Sequence, residues 1–366
     1  MPTEAPPTTA LKDWFDEARY RSIASHLLRL EPKFRSEVYL PLVLEGLEPR
    51  SLMQRLHQCS IAIEAALPGG YRSQLKVLRK LAPLLEHGFV SIFLCDFVAT
   101  FGIDDFDHSL DALAHFTCFG SGEFAVRTFL IADQERTLAT MQSWALHENE
   151  HVRRLASEGS RPRLPWGTRL PSLVRDPSPV LPLLEQLKND PAIYVRRSVA
   201  NHLNDITKDH PERVLDLLSA WDLTQPELRW IAKQACRTLI KRGHPRALAL
   251  FGFGKKPEVT AALYVTPSQL QLGDRLTLTA RLTSTSKKPQ RLAIDYVIHY
   301  VKARGVTAEK VFKWTELDLP PGATLDLTRS QQIRDFTTRK HHVGHHKIDL
   351  QINGHRVAAA GFDLMG

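Results

Sequence analysis

The chain has 366 residues, of which 43% are hydrophobic and 24% are charged, enough for two domains or one long solenoid with an ample core. Its formal net charge of +8 favours an acidic polymer as partner, nucleic acid before an anionic membrane. No apolar run reaches about 18 residues, which argues against a membrane span. The four cysteines form no CxxC pair and no apolar leader opens the sequence, so we expect a cytoplasmic protein with buried thiols.

Residues 11–255, which follow a predicted flexible tail at 1–10, have the pattern of one helix after another. Apolar positions recur every three or four residues in segments such as LKDWFDEARYRSIASHLLRL. Two later segments open alike, HVRRLASEGSRPRLPW at 151–166 and YVRRSVANHLNDITKDHP at 194–211. Arg153 and Arg196 are 43 residues apart (196 − 153), within the ~40–47 residue period of HEAT repeats. The sequence therefore predicts a HEAT-like α-solenoid over 11–255.

The two related segments predict helices with one apolar face and one polar face. At ~100° per residue, Val195, Val199 and Leu203 share the apolar side of the second helix. Its opposite side carries Arg197, Asn201, Asp205 and Lys208. The matching polar side of the first helix carries Arg154 and Glu158. Such a stripe is either a solvated face with ion pairs or a functional surface, and periodicity alone leaves both open.

The segment between these helices, 159–180, is rich in proline and glycine and cannot continue a helix. Within 151–175 six arginines accompany a single acid, Glu158. Arginine forks suit phosphates, and Trp166 on a proline-stiffened loop offers a stacking face. The combination indicates a nucleic-acid surface with an acidic centre.

Three carboxylates are candidates for that centre. Glu158 and Asp205 occupy matching faces of neighbouring repeats, and Glu123 is predicted on the corresponding helix one repeat earlier. We expect them to converge on one concave surface. The alternative for each is a charge that favours a helix N-terminus or takes part in an ion pair.

Composition changes at GFGKKP (252–257), the predicted linker to a second domain at 258–366. From residue 258 polar and apolar residues alternate in seven segments separated by turn sequences such as PPGA and NG. Seven short strands without helices predict an immunoglobulin-like β-sandwich. No cysteine follows Cys236, so the core disulfide of antibody domains is not expected.

The segment RKHHVGHHK (339–347) has four histidines within six positions, a composition that zinc or nickel sites also show. We favour a simpler interpretation, a basic loop around Gly344 that contacts phosphates. The loop would use Arg339, Lys340, His345, His346 and Lys347. No metal site is therefore predicted.

Three motifs now suggest a family. The segments EFAVRTFLI, HVRRLASEGSRPRLPW and YVRRSVANHLNDITKDHP resemble the AlkC branch of the AlkC/AlkD family of HEAT-repeat DNA glycosylases. The resemblance covers roughly residues 10–250 and includes DDFDHSLDAL upstream of the first motif. Some members of that branch also carry a C-terminal immunoglobulin-like domain, which matches the pattern at 258–366.

The resemblance implies excision of N3-methyladenine and N3-methylcytosine from double-stranded DNA, without rotation of the lesion into a deep pocket. It implies that Glu158 and Asp205 are the catalytic carboxylates and that Glu123 and Trp166 line the same site. A monomer that needs no cofactor is expected. The residues predicted to contact DNA are Arg127, Arg154, Arg161, Arg163, Arg169, Arg197, Asn201 and Lys208, together with Arg339, Lys340, His345, His346 and Lys347.

Two other functions explain part of the sequence. A non-catalytic HEAT scaffold that binds DNA or RNA accounts for the cations and the repeats. It does not account for Glu158 and Asp205 on a basic surface, because carboxylates repel phosphate. A protein–protein adaptor accounts for the fold but gives the arginines no role.

Overall fold

The computed structural model describes residues 10–85, 88–303, 305–336 and 340–366, so most of the predicted tail at 1–10 lies outside the described residues. Within these ranges sixteen α-helices precede eight strands. The helices are α1 Glu17–Leu30, α2 Ser36–Leu44, α3 Leu52–Ala66, α4 Tyr71–Leu81, α5 Ile92–Phe101, α6 Phe106–Phe116, α7 Val126–Ala132, α8 Gln134–Trp144, α9 Glu150–Gly159, α10 Pro171–Arg175, α11 Leu181–Leu187, α12 Ile193–Ile206, α13 Pro211–Ser219, α14 Pro226–Ala235, α15 Arg237–Lys241 and α16 Pro245–Leu250. None of the described helices is both long enough and apolar enough to span a bilayer.

The chain divides into two compact units. We call the first the helical unit; it contains the chain up to Asp209 and the segment Pro226–Ile231. The second, the sandwich unit, contains His210–Gln225 and Ala232–Gly366. The last helices thus pack with the strands, as the ion pair between Lys233 Nζ and Glu316 Oε2 at 2.7 Å illustrates. The composition change at 252–257 marks where helices give way to strands, and the compact units divide elsewhere.

The two related segments of the helical unit form neighbouring helices. α9 and α12 pack against each other. Their shared core includes Val152 and Leu155 from α9 and Val195, Val199 and Leu203 from α12, all fully buried. The predicted apolar faces therefore point inward, and the repeat offset correctly identifies two helices that are neighbours in the solenoid.

The strands of the sandwich unit form two sheets. They are β1 Val259–Thr266, β2 Gln269–Leu270, β3 Arg275–Ser284, β4 Gln290–Val301, β5 Thr307–Leu319, β6 Thr324–Gln332, β7 Gly344–Ile352 and β8 His355–Leu364. One sheet has the order β1-β3-β6 and the other β2-β8-β7-β4-β5. Leu278 and Leu282 of the first sheet share an apolar core with Ile294, Ile298 and Leu350 of the second. The predicted sandwich is confirmed. One strand was not predicted, the two-residue β2, which lies in a segment that the sequence indicates as a turn.

Candidate active site

Helices α9 and α12 bring two carboxylates to either side of one guanidinium. Glu158 lies near the end of α9 and Asp205 near the end of α12. Arg161 donates from Nη1 to Glu158 Oε1 at 2.6 Å and from Nε to Asp205 Oδ2 at 2.8 Å. The two carboxylates are nearly buried, with side chains that are 8% and 3% exposed. Their shared partner fixes their relative position.

A second arginine joins the third acid to this pair. Arg154 Nη1 lies 2.6 Å from Glu123 Oε2, and its Nη2 lies 3.7 Å from Glu158 Oε1. The guanidinium of Arg154 also stacks over the ring of Tyr194, at 4.7 Å from its centroid. Glu123 itself lies in the turn before α7, so its predicted position on a helix is wrong. The three acids nevertheless meet in one network of alternating charges.

Two further donors complete the hydrogen bonding of the carboxylates. Ser198 Oγ lies 2.6 Å from Glu158 Oε2, and Lys208 Nζ lies 2.8 Å from Asp205 Oδ1. Each oxygen of Glu158 and Asp205 therefore has a donor. An ionised carboxylate only accepts hydrogen bonds, so this environment of donors matches its charged form. Ser198 is a site residue that no sequence signal indicated.

The arginines of the network stay charged despite their burial. Burial alone would lower the pKa of Arg161, but Glu158 and Asp205 outweigh that effect and raise its pKa above the ordinary value. Burial likewise opposes the charge of Arg154, and Glu123 and Glu158 raise its pKa. The site is thus a buried set of mutually compensating charges.

The expectation that Glu158 and Asp205 lie on an open outward stripe is wrong. The segment after α9 turns back, with a hydrogen bond from Arg161 N to Glu158 O at 3.3 Å. This turn places the Arg161 side chain over both carboxylates. Helical periodicity identified the face correctly but could not show that the following loop covers it.

Trp166 protrudes from that loop. The residue is 77% exposed, and its backbone has a φ of 64° in the left-handed region. For a bulky residue this conformation costs on the order of 1–3 kcal/mol and persists only where the surroundings impose it. A cavity of about 370 Å³ adjoins the indole and is also lined by Arg163, Arg169 and Lys208. An exposed aromatic ring therefore lies beside three cations and next to the Asp205 partner Lys208.

The other residues predicted to contact DNA in the helical unit differ in their exposure to solvent. Arg169 and Arg197 are exposed, and the neutral Asn201 is half-buried. Arg163 forms a bidentate pair with Asp209, at 2.7 and 2.8 Å. Arg127 is fully buried and donates to backbone carbonyl groups, so its predicted contact with DNA is wrong.

A buried histidine lies beneath the network. His202 is fully buried on the apolar side of α12, with Nδ1 2.9 Å from Ser157 O, which makes Nδ1 the protonated nitrogen. Its Nε2 has no hydrogen-bond partner within the described residues. Burial, aided by the charge of Arg161, lowers the pKa of His202 to about 3. The ring is therefore neutral near pH 7.

Replacement of His202 by asparagine is expected to make the free energy of unfolding depend less on pH below about pH 6.5. Because the folded-state pKa lies below the unfolded value of ~6.5, the unfolded chain binds the extra proton, and stability is lost as pH falls from ~6.5 towards 3. One proton corresponds to a slope of ~1.4 kcal/mol per pH unit. Urea unfolding between pH 7 and 4 should show this steeper decline in the wild type only. Equal slopes in both proteins would contradict the assignment.

The histidine-rich segment of the sandwich unit does not form the predicted basic loop. β7 begins at Gly344, and strand alternation turns His346 inward, where its buried ring stacks on Phe362 at 4.9 Å. The predicted phosphate contact of His346 is therefore wrong. His345 pairs with Asp363 at 2.8 Å and Lys347 with Asp349 at 2.9 Å, whereas Lys340 is exposed. Arg339 lies outside the described residues, among which no cluster of metal-ligating side chains occurs.

Both parts of the chain match models of known families. Residues 110–239, which contain all three acids of the network, match the model of the DNA alkylation repair enzymes. Residues 259–366 match the C-terminal Ig-like domain of the YhaZ proteins. Together the matches define a class, the DNA alkylation repair enzymes that end in an immunoglobulin-like domain.

Two relatives match over nearly the whole chain. YhaZ of Bacillus subtilis is 41% identical over 346 residues, which are 94% of this chain and 96% of the relative. The solved structure of Pseudomonas fluorescens alkylpurine DNA glycosylase AlkC, bound to DNA with an abasic-site analogue, is 49% identical and superimposes with a TM-score of 0.95. That match covers 98% of this chain and all of the other. The present chain belongs to the AlkC branch of the DNA alkylation repair enzymes.

Proposed function

We propose that this chain is a monomeric DNA N-glycosylase that removes cationic N3-alkylated bases, 3-methyladenine and 3-methylcytosine, from double-stranded DNA. The observation that carries the proposal is the pair of buried carboxylates, Glu158 and Asp205, fixed by Arg161 beside exposed cations and an exposed indole. The cations serve binding, and the carboxylates serve the chemistry. In a purely architectural DNA-binding protein these acids would serve only to compensate the buried arginines.

The chemistry requires little beyond a negative charge near the sugar. A base methylated at N3 is already cationic, so when the C1′–N bond breaks, the electron pair neutralises the departing base. Positive charge develops on the sugar, and a carboxylate beside C1′ stabilises it. Water then attacks C1′ and passes its proton to the carboxylate, which leaves an abasic site and the free base. This route involves neither a metal nor a cofactor.

Access to Asp205 depends on Lys208. The lysine ammonium covers Asp205 Oδ1, and its side chain is 40% exposed. In the proposed complex, a DNA phosphate competes with Asp205 for the Lys208 ammonium, because both anions attract a cation. When the ammonium binds the phosphate, the carboxylate oxygen becomes accessible. Arg161 keeps Asp205 in place meanwhile. The carboxylate thus meets the sugar only when a phosphate is bound nearby.

Trp166 is the proposed contact for the damaged base. Its indole lies at the surface, which supports recognition of the lesion without rotation into a deep pocket. An aromatic face favours a cation by about 1–2 kcal/mol over a neutral ring. Arg169 and Arg197, both exposed, are proposed to hold the backbone.

Lesion selectivity tests this proposal. The wild type should release 3-methyladenine much faster than hypoxanthine, a neutral purine lesion, from otherwise identical duplexes. Trp166→Ala should reduce the preference about tenfold, the loss that corresponds to the cation–π energy. Trp144→Phe, at a buried tryptophan of α8, serves as the control. Equal release of charged and neutral lesions by the wild type would contradict the proposal.

A further inference from the structure

Arg127 is the one predicted DNA contact that the helical unit buries completely, and its hydrogen bonds all go to one loop. It is the second residue of α7. Nη1 donates to Gly159 O at 2.8 Å and to Arg161 O at 2.9 Å, and Nε donates to Thr168 O. A single guanidinium therefore holds both ends of the segment 159–168.

That segment carries two side chains of the site. Arg161 bridges Glu158 and Asp205, and Trp166 provides the exposed indole. The segment has few backbone bonds of its own within these residues, such as Gly167 N to Leu164 O at 3.2 Å. Trp166 has a left-handed backbone conformation that the surrounding residues must stabilise. Arg127 contacts the next residue in the chain, Gly167. A Cβ at Gly167 would lie 3.3 Å from Arg127 Cδ, so this residue packs directly on the guanidinium side chain.

Stability alone is a poor explanation for a cation in this place. Arg127 makes no salt bridge within the described residues, and its guanidinium meets carbonyl oxygens instead. Burial first, and then the charge of Arg161, lower the pKa of Arg127 to about 10, so it remains charged at neutral pH. Buried charges without an ionic partner are costly and tend to occur where function requires a fixed geometry.

We infer that Arg127 is a positioning residue that sets the 159–168 loop, and through it places Arg161 between the carboxylates and Trp166 at the lesion. Arg127 touches neither base nor sugar. Lysine cannot replace it, because one ammonium cannot span the carbonyl groups of Gly159, Arg161 and Thr168 in a fixed fork. The catalytic part of this inference rests on the proposed glycosylase function, and the placement of the loop does not.

The test compares Arg127→Lys with Arg153→Lys in the full chain. Arg153 is a matched control because it also donates to backbone carbonyls, those of His147 and Glu148, and pairs with Asp190. Single-turnover excision of 3-methyladenine at saturating protein should fall at least tenfold for Arg127→Lys and less than threefold for Arg153→Lys. Affinity for an abasic-site duplex should change less than the rate.

Double variants separate positioning from general damage. If Arg127 acts through the loop, Arg127→Lys should cost much less in a Trp166→Ala or an Arg161→Lys background than in the wild type. Full additivity with both would overturn the inference. Arg127→Met provides a second substitution, and thermal unfolding of each variant shows whether lost activity reflects lost folding.

A measurement without DNA keeps the inference testable if the proposed activity fails. The acrylamide quenching of Trp166, taken as the difference between proteins with and without Trp166→Phe, should change in the Arg127→Lys background. It should stay the same in the Arg153→Lys background. Unchanged quenching in both would show that Arg127 does not set the loop.

Discussion

The Asp205→Asn variant should lose base excision by about 10²–10³-fold while it retains its affinity for a duplex with an abasic-site analogue. Asparagine has the shape of aspartate and can still accept a hydrogen bond from Arg161 or Lys208. It lacks the charge that stabilises the developing cation, and loss of one such group in other enzymes costs this much in rate. Single-turnover rates and binding curves at one salt concentration measure the two quantities.

Asp190→Asn is the control for that experiment. Asp190 also has a nearly buried side chain, at 3% exposure, and pairs with an arginine, Arg153, at 2.6 Å. Both substitutions therefore remove a buried charge beside a guanidinium. If they slow excision equally, the effect of Asp205→Asn reflects damage to the fold and Asp205 has no special part in the chemistry.

The largest expected change in stability belongs to Arg161→Met. The substitution keeps much of the side-chain volume but leaves Glu158 and Asp205 close together without their shared cation. Removal of one partner from a buried ion pair typically costs 3–5 kcal/mol, and we expect about that loss in the free energy of unfolding. Urea unfolding, followed by circular dichroism of the helices, measures it.

Two comparisons show whether the cause is the uncompensated charge. Arg163→Met removes a bidentate but more exposed pair with Asp209, and should cost only about 0–1 kcal/mol. Glu158→Gln and Asp205→Asn, added to Arg161→Met, should restore much of the lost stability because no buried charge then lacks a partner. Without such a recovery, the loss would come from packing of the loop.

Periodicity and local pattern predict most of the fold. The 43-residue offset identified α9 and α12 as neighbours, since each must bury one apolar face against the other. The switch to alternating residues after 258 located the sandwich for a similar reason. The sequence does not predict the two-residue β2, because a strand so short has no alternation to detect. It does not predict the division into compact units either, because that division depends on packing between α15 and β5, which composition does not show.

The site was only partly accessible from the sequence. Helix faces point to Glu158 and Asp205, the family motifs point to these two and to Glu123, and the three acids do meet in the structure. The different positions of Arg161 and Arg127 were not accessible, because only the loop conformation decides which arginine points to the carboxylates and which binds backbone carbonyl groups. His346 was misassigned because its inward direction depends on the residue at which β7 begins. The roles assigned to these residues stay predictions.

Release of free base by the wild-type chain decides whether it is a glycosylase. The substrate is a duplex that carries a single 3-methyladenine, and the control is an undamaged duplex of the same sequence. We expect stoichiometric release of 3-methyladenine, with an abasic site left in the strand and no release from the control. Tight binding to both duplexes without release of any base would contradict it, and would make this chain an architectural DNA-binding protein.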